Sequence, residues 1–300
     1  MRALIVYKKS MFQLYTVDRE NPRVQALLAR GDRSVRALRP GHEAHISALD
    51  AAHRALKAAG FSVSRTYRAK IGDVSSFDLV VTVGGDGTLL DVSHHLDART
   101  PLLGVNSDSE RSVGLLAAAT PETLPGILDQ IRARRVVPIA VTRLRLELDG
   151  ARLPLLALND ALVVHRNPAS TSRYHITLGR RGETHKSSGL WIASPIGSTA
   201  AIRSAGGQVQ DVDDDRLQFR VREPYLAGPR HELLSGLPSP RQVLKIHSTM
   251  RDGRIYIDGP HVCYPFGLGA KLRVHAAPRS LLLYLTAENL RRRRAYARRR

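Results

Sequence analysis

The sequence predicts an N-terminal α/β domain built on a doubly wound parallel sheet, followed by a mostly β domain. Three observations predict it. Residues 3–7, 77–83 and 101–105 are short, nearly continuous apolar runs, the pattern of parallel strands covered on both faces. Between these runs the apolar residues fall at helical spacing. After about residue 135 the period changes, and many short alternating segments stand between turn residues.

The elements follow in order. Residues 3–7 are the first strand. Residues 22–40 are polar and arginine-rich and are expected to form a loop. Ile46, Leu49, Ala52 and Leu56 share one face of a helix over 44–59, which Gly60 stops. Residues 61–64 and 77–83 are the next strands, residues 88–96 a helix, and residues 101–105 the fourth strand. In the second half, Val141, Leu144, Leu146 and Leu148 show the alternation of a strand. Residues 161–164, 174–178, 190–193, 243–247 and 254–257 add short strands, residues 211–215 and 235–241 read as surface loops, and 280–285 is a last strand. The expected domains are 1–132, α/β, and 133–275, mostly β. A strand-containing extension, 276–290, and a basic tail, 291–300, complete the chain.

Hydrophobic residues make up 43% of the 300 residues, enough for a real core, and charged residues 24%, a globular value. The formal net charge is +19, and seven arginines crowd the last ten residues. A positive field concentrates nucleotides and nucleic acids alike, so charge alone does not choose a partner. The tail is expected to be mobile and solvated, with nucleic-acid binding a secondary expectation. The single cysteine, Cys263, excludes an intrachain disulfide and a cysteine-based zinc site, and is expected to be a small core residue. No apolar run approaches the ~18 residues that span a bilayer, and the first residues are too short for a signal-peptide core. The expectation is a cytoplasmic protein without a membrane partner.

The strongest local signal is Gly84-Gly85-Asp86-Gly87-Thr88, between a strand and a helix. Open α/β sheets bind ligands at that carboxyl edge. Glycines let the backbone approach phosphate oxygens, and the next helix offers free N–H groups. Asp86 adds a carboxylate able to accept a hydroxyl proton or help place Mg²⁺. No Gly-Lys-Ser/Thr follows, so this is not a Walker loop, and the spacing is not that of the dinucleotide fingerprint. Further on, Asn159 offers a donor and an acceptor suited to an adenine edge, and Asp160 suits a ribose. Gly197-Ser198-Thr199-Ala200 supplies small residues and hydroxyls that can wrap a pyrophosphate. The plain alternatives are a β-turn at 159–160 and a tight corner at 197–200. His94 and His95, adjacent on a helix, point in different directions, and no metal-ligating side-chain set is expected.

Gly84-Gly85-Asp86-Gly87-Thr88 resembles the phosphate loop shared by NAD kinases and diacylglycerol kinases. Three further segments resemble NAD kinases in the family order: Asn159-Asp160, with aspartate where the family has glutamate; Ser188-Gly189 through Gly197-Ser198-Thr199-Ala200 to Ser204; and Asp258-Gly259. Asn106-Ser107-Asp108 and Arg222-Glu223-Pro224 resemble the branch holding the plant NADH kinases and the animal mitochondrial enzymes.

The resemblance implies a kinase that moves a phosphoryl group from ATP, with Mg²⁺, to the adenosine 2′-hydroxyl of NAD(H). Asp86 is then catalytic. Gly84, Gly85, Gly87, Thr88, Asn106, Asn159, Asp160, Ser188, Gly197, Ser198, Thr199, Ala200, Ser204 and Asp258 bind the nucleotides. The resemblance also implies a homodimer or larger assembly. Two departures stand out: Ser188 replaces an aspartate and Ala201 a tyrosine. Losing a negative charge near the nicotinamide weakens the preference for its oxidised, cationic ring, so NADH is expected to be accepted at least as well as NAD⁺. The alternatives are a lipid kinase of the diacylglycerol type and a non-catalytic dinucleotide- or nucleic-acid-binding protein.

Overall fold

The computed structural model describes residues 1–226 and 231–298. They separate into two compact units, Met1–Pro138 with Leu283–Leu290, and Ile139–Leu282 with the chain from Arg291 on.

In the first unit, four parallel strands lie in the order β2-β1-β3-β4: β1 (Arg2–Tyr7), β2 (Ser62–Tyr67), β3 (Leu79–Gly84) and β4 (Leu102–Asn106). Every residue of β3 and β4 is buried, as their apolar runs require. The helices are α1 (Pro22–Ala29), α2 (Leu38–Ala58), α3 (Asp86–Ser93) and α4 (Leu124–Arg132). Helix α2 buries Ala48, Leu49, Ala52 and Leu56 and stops before Gly60, whose φ of +84° favours glycine. Ile5, Leu56, Val81, Leu103 and Leu128 meet in one core. Tyr7 pairs with Val83, and Gly84 with Asn106. The residues that follow, Lys8, Gly85 and Ser107, therefore emerge together at the carboxyl edge of the sheet.

The stretch 22–40 differs from the expected loop. Residues 22–29 are helical, with Pro22 in the first turn and the Asn21 side chain accepting from Val24 N at 3.1 Å. None of these residues is buried, so no periodic apolar stripe announced the helix. Helix α2 begins at Leu38 and takes Pro40 in its first turn, where a missing N–H breaks no helical bond.

The second unit holds two antiparallel sheets. One contains β5 (Ile139–Leu148), β6 (Ala151–Ala157), β8 (Ser172–Leu178), β9 (Arg181–Ser187), β13 (Leu244–Ser248) and β16 (Lys271–Leu283); the run is β16-β13-β8-β9, with β5 joined to β16 and β6. The other is ordered β12-β11-β10-β7-β14-β15, from β7 (Asp160–His165), β10 (Gly189–Ala193), β11 (Gln218–Arg222), β12 (Ser235–Gly236), β14 (Gly253–Ile257) and β15 (Val262–Pro265). Leu144, Tyr174, Ile246 and Leu272 of the first sheet pack with Val163, Ile192, Phe219 and Ile255 of the second. Burial alternates along β13, as the sequence period predicts.

Two expectations are corrected here. Cys263 is exposed on the edge strand β15 rather than in the core. The basic tail, 291–300, is not a free segment: helix α5 runs Ala287–Arg298, and Arg293 within it is 3% exposed. The last two residues lie outside the described chain. Phe219 is fully buried between the sheets, so Phe219→Ala should destabilise the protein by about 3–5 kcal/mol, read as a lower midpoint in urea unfolding.

Candidate active site

The first unit contributes a loop at the carboxyl edge of β3. Gly84 ends the strand, Gly85 caps the following helix, and Asp86 is its first helical residue. A side chain at Gly84 would bring a Cβ within 2.4 Å of Thr88 Oγ1, so the turn closes only on glycine. The Asp86 carboxylate reaches beyond its own helix. It accepts from Leu115 N and Leu116 N, each at 3.0 Å. Those two amides belong to the loop after β4, which Asn106 shapes. Asn106 is 5% exposed, donates to Ser112 O at 3.0 Å and accepts from Asp108 N at 3.2 Å. Its side chain thus builds the loop that holds Asp86. Gly87 is exposed, and Thr88 Oγ1 is buried without a hydrogen-bond partner. A buried polar atom without a partner is rare in a folded protein and needs a physical reason.

Lys8 and His45 sit at the same edge and were not found from sequence. His45, 3% exposed on α2, bonds Lys8 O at 2.7 Å and Ser107 Oγ at 3.2 Å. Burial, then the nearby Arg68 charge, push the Lys8 ammonium below its ordinary range. The available signal was position: Lys8 directly follows the first strand, at the end where such sheets bind ligands.

The second unit brings together residues 158–160, 194–199 and 258. Asp258, at φ +50°, accepts from Leu158 N (2.7 Å), Asn159 N (2.7 Å) and Asp160 N (3.0 Å). This cradle fixes the turn that presents Asn159 and Asp160. The side-chain Oδ1 of Asn159 is buried and has no donor. Asp160 is 7% exposed; burial, then the Asp258 charge, raise its carboxyl to about 7. Gly197 packs on the same turn so closely that a Cβ would stand 2.0 Å from Asn159 O. Ser198 donates to Pro195 O at 2.6 Å and accepts from Gln210 N at 2.9 Å. Thr199 is buried, Ala200 is half-buried, and Ser204 is exposed at the end of the one-turn helix Ala201–Ser204.

Arg293 holds this segment from α5. Its guanidinium donates to Pro195 O (2.9 Å), Ile196 O (3.1 Å) and Thr199 Oγ1 (3.1 Å). Nothing in a run of terminal arginines singles one out for such a place. Ser188 is separate from the Asp258 cradle. It is half-buried and lines an open cavity of about 500 Å³ with Arg173, Lys186, Glu223 and Tyr225. Arg166 is exposed and 3.7 Å from Asp252, a solvated strand end.

The family profile described as the ATP-NAD kinase N-terminal domain matches residues 19–136. A protein of Oryza sativa subsp. japonica named "Probable NADH kinase" is 38% identical over 242 residues, 72% of this chain and 73% of its own. Among solved structures, an NAD kinase from Archaeoglobus fulgidus in complex with ATP superposes with a TM-score of 0.70 at 21% identity, covering 99% of both chains. Yeast NADH kinase complexed with NADH gives 0.68 at 17% identity, covering 98% of this chain and 86% of that one. The architecture is therefore the NAD kinase fold, an α/β unit joined to a mostly β unit. The rice relative goes beyond fold: the chain belongs to the NAD kinase family.

Two tests address the second unit. Gly197→Ala forces a backbone shift at Asn159 and should cost at least about 1–3 kcal/mol of stability, measured by thermal unfolding. The raised Asp160 pKa favours the protonated form in the folded state, so its contribution is full below 3.8 and lost as pH rises through about 7. Asp160→Asn should therefore gain stability relative to the parent across that window, which unfolding midpoints measured at several pH values will show.

Proposed function

We propose that this chain phosphorylates the adenosine 2′-hydroxyl of NAD(H) at the expense of ATP, yielding NADP(H). The observation that carries this reading is the Asp86 carboxylate, held by two backbone N–H groups beside a glycine loop at the carboxyl edge of a parallel sheet. The relatives named above support the substrates, since they carry the names NAD kinase and NADH kinase and two are complexes with ATP and NADH. No such feature supports the lipid-kinase or non-catalytic alternatives.

Phosphoryl transfer needs positioning and charge neutralisation more than covalent chemistry. Gly84, Gly85, Gly87 and Thr88 cradle the triphosphate, with backbone N–H groups at the start of α3 turned to its oxygens. The orphan Thr88 hydroxyl gains its partner there. Asp86 orients the attacking 2′-hydroxyl and takes its proton. Asn159 Oδ1 accepts from the adenine amino group, Asp160 engages the ribose, and the segment 197–200 wraps the pyrophosphate, with Asp258 and Asn106 positioning these parts.

The residues present fit Mg²⁺ bound with the triphosphate. Asp86 would help place it by offering one hard oxygen near the loop, since this ion usually keeps several waters and takes only one or two carboxylates beside substrate phosphates. When bound, Mg²⁺ neutralises charge on the phosphoryl oxygens. Among the described residues no helix is long and apolar enough to cross a membrane. A cytoplasmic homodimer or larger assembly, and the domain boundaries 1–132 and 133–275, complete the proposal.

Asp86→Asn should lower kcat by about 10²–10⁴-fold while NADH still binds in calorimetry, because the side chain acts on the proton rather than on the dinucleotide. Near-normal turnover would rule out that role. Ser188→Asp, which restores a negative charge at the departed position, should shift the kcat/KM ratio towards NAD⁺. Product masses after incubation with Mg·ATP and each dinucleotide give both readings.

A further inference from the structure

We propose that Glu183, His185 and His231 form a binding site for a zinc-class divalent ion that braces the mostly β unit. Among the described residues they are the one set of three such side chains whose ligand atoms all lie within 4.8 Å of one another.

The strand geometry creates the pair. Glu183 and His185 are two apart on β9 and share a face, paired with Ile176 and Tyr174 on β8. His231 comes from the segment leading into β12, and its ring lies 4.9 Å from that of His185. His185 Nε2 is 3.4 Å from Glu183 Oε2, and His231 Nδ1 is 3.5 Å from the same oxygen. Bonds of about 2.0–2.1 Å at the tetrahedral angle place two zinc ligands about 3.4 Å apart. Both nitrogen-to-carboxylate spacings of the empty cluster are already those of a ligand shell.

The second observation is His185 itself. It is 1% exposed, and its Nε2 makes no hydrogen bond despite the carboxylate oxygen at 3.4 Å. A buried ring nitrogen aimed near an acceptor, but not at it, is the arrangement a shared metal ion explains. The Glu183 carboxylate accepts from Leu233 N (3.0 Å) and Glu232 N (2.7 Å). Those amides also aim the carboxylate, as outer partners do at metal sites.

Two imidazoles and one carboxylate suit zinc or cobalt, and not the oxygen-coordinated magnesium of the kinase reaction. Glu183 and His231 keep 18% and 16% side-chain exposure, so a water can reach the fourth position. The ion would tie β9 to the 231–236 segment at a point where the carboxylate already grips it.

The test uses the full chain, tag-free and stripped with chelator. Co²⁺ titration should reveal one equivalent with the visible bands of four-coordinate cobalt, displaced by Zn²⁺, and Zn²⁺ should raise the melting midpoint. His231→Ala, at a partly exposed position, should weaken Zn²⁺ binding at least about 100-fold and abolish the rise. Glu183→Gln should weaken binding too. An unchanged cobalt spectrum and melting response in the parent, or parental affinity in both variants, would overturn the site.

Discussion

Carboxylates that accept hydrogen bonds from backbone N–H groups of another loop are the interaction on which the rest of the structure depends. Asp258 takes three such bonds from 158–160, Asp86 takes two from 115–116, and Glu183 takes two from 232–233. A loop lacks the strand partner that would satisfy its amides, and a buried unpaired N–H is costly. An ionised acceptor answers several at once, with each charge-assisted bond contributing about 1.5–3 kcal/mol. The chemistry-bearing loops are therefore held by charge rather than by sheet pairing. That leaves their backbones in shapes no regular element provides.

This division of labour sorts the polar residues. Asn106 and Asp258 shape loops; Asp86 both anchors a loop and stands where chemistry is proposed; Asn159 and Thr88 keep buried polar atoms unpaired. Leaving an acceptor and a hydroxyl unsatisfied lowers stability, and a ligand that supplies their partners recovers it.

Local signals made much of the plan legible. Apolar runs announced β1, β3 and β4, because strands buried on both faces must be apolar throughout. The glycine loop and the 197–200 segment stood out since only small residues allow such close approach. Helix α1 was hidden because it buries nothing, and Cys263 was misplaced because hydrophobic character does not reveal which face of an edge strand meets solvent. Lys8, His45 and the cluster around Glu183 were hidden for another reason. Their partners lie far off in sequence, and single-chain periodicity carries no trace of contacts across 37 or 48 positions.

The arginine-rich end holds two populations with different fates. Among the described residues Arg291, Arg292, Arg294 and Arg298 are exposed, but Arg293 is buried on the carbonyls of Pro195 and Ile196. Trimming the terminus to cure stickiness on anionic columns would thus remove a keystone along with the ballast. The carbonyls of Pro195 and Ile196 would lose the one guanidinium that bonds them both. Shaving charge from this end is safer done by replacing exposed arginines one at a time than by shortening the chain.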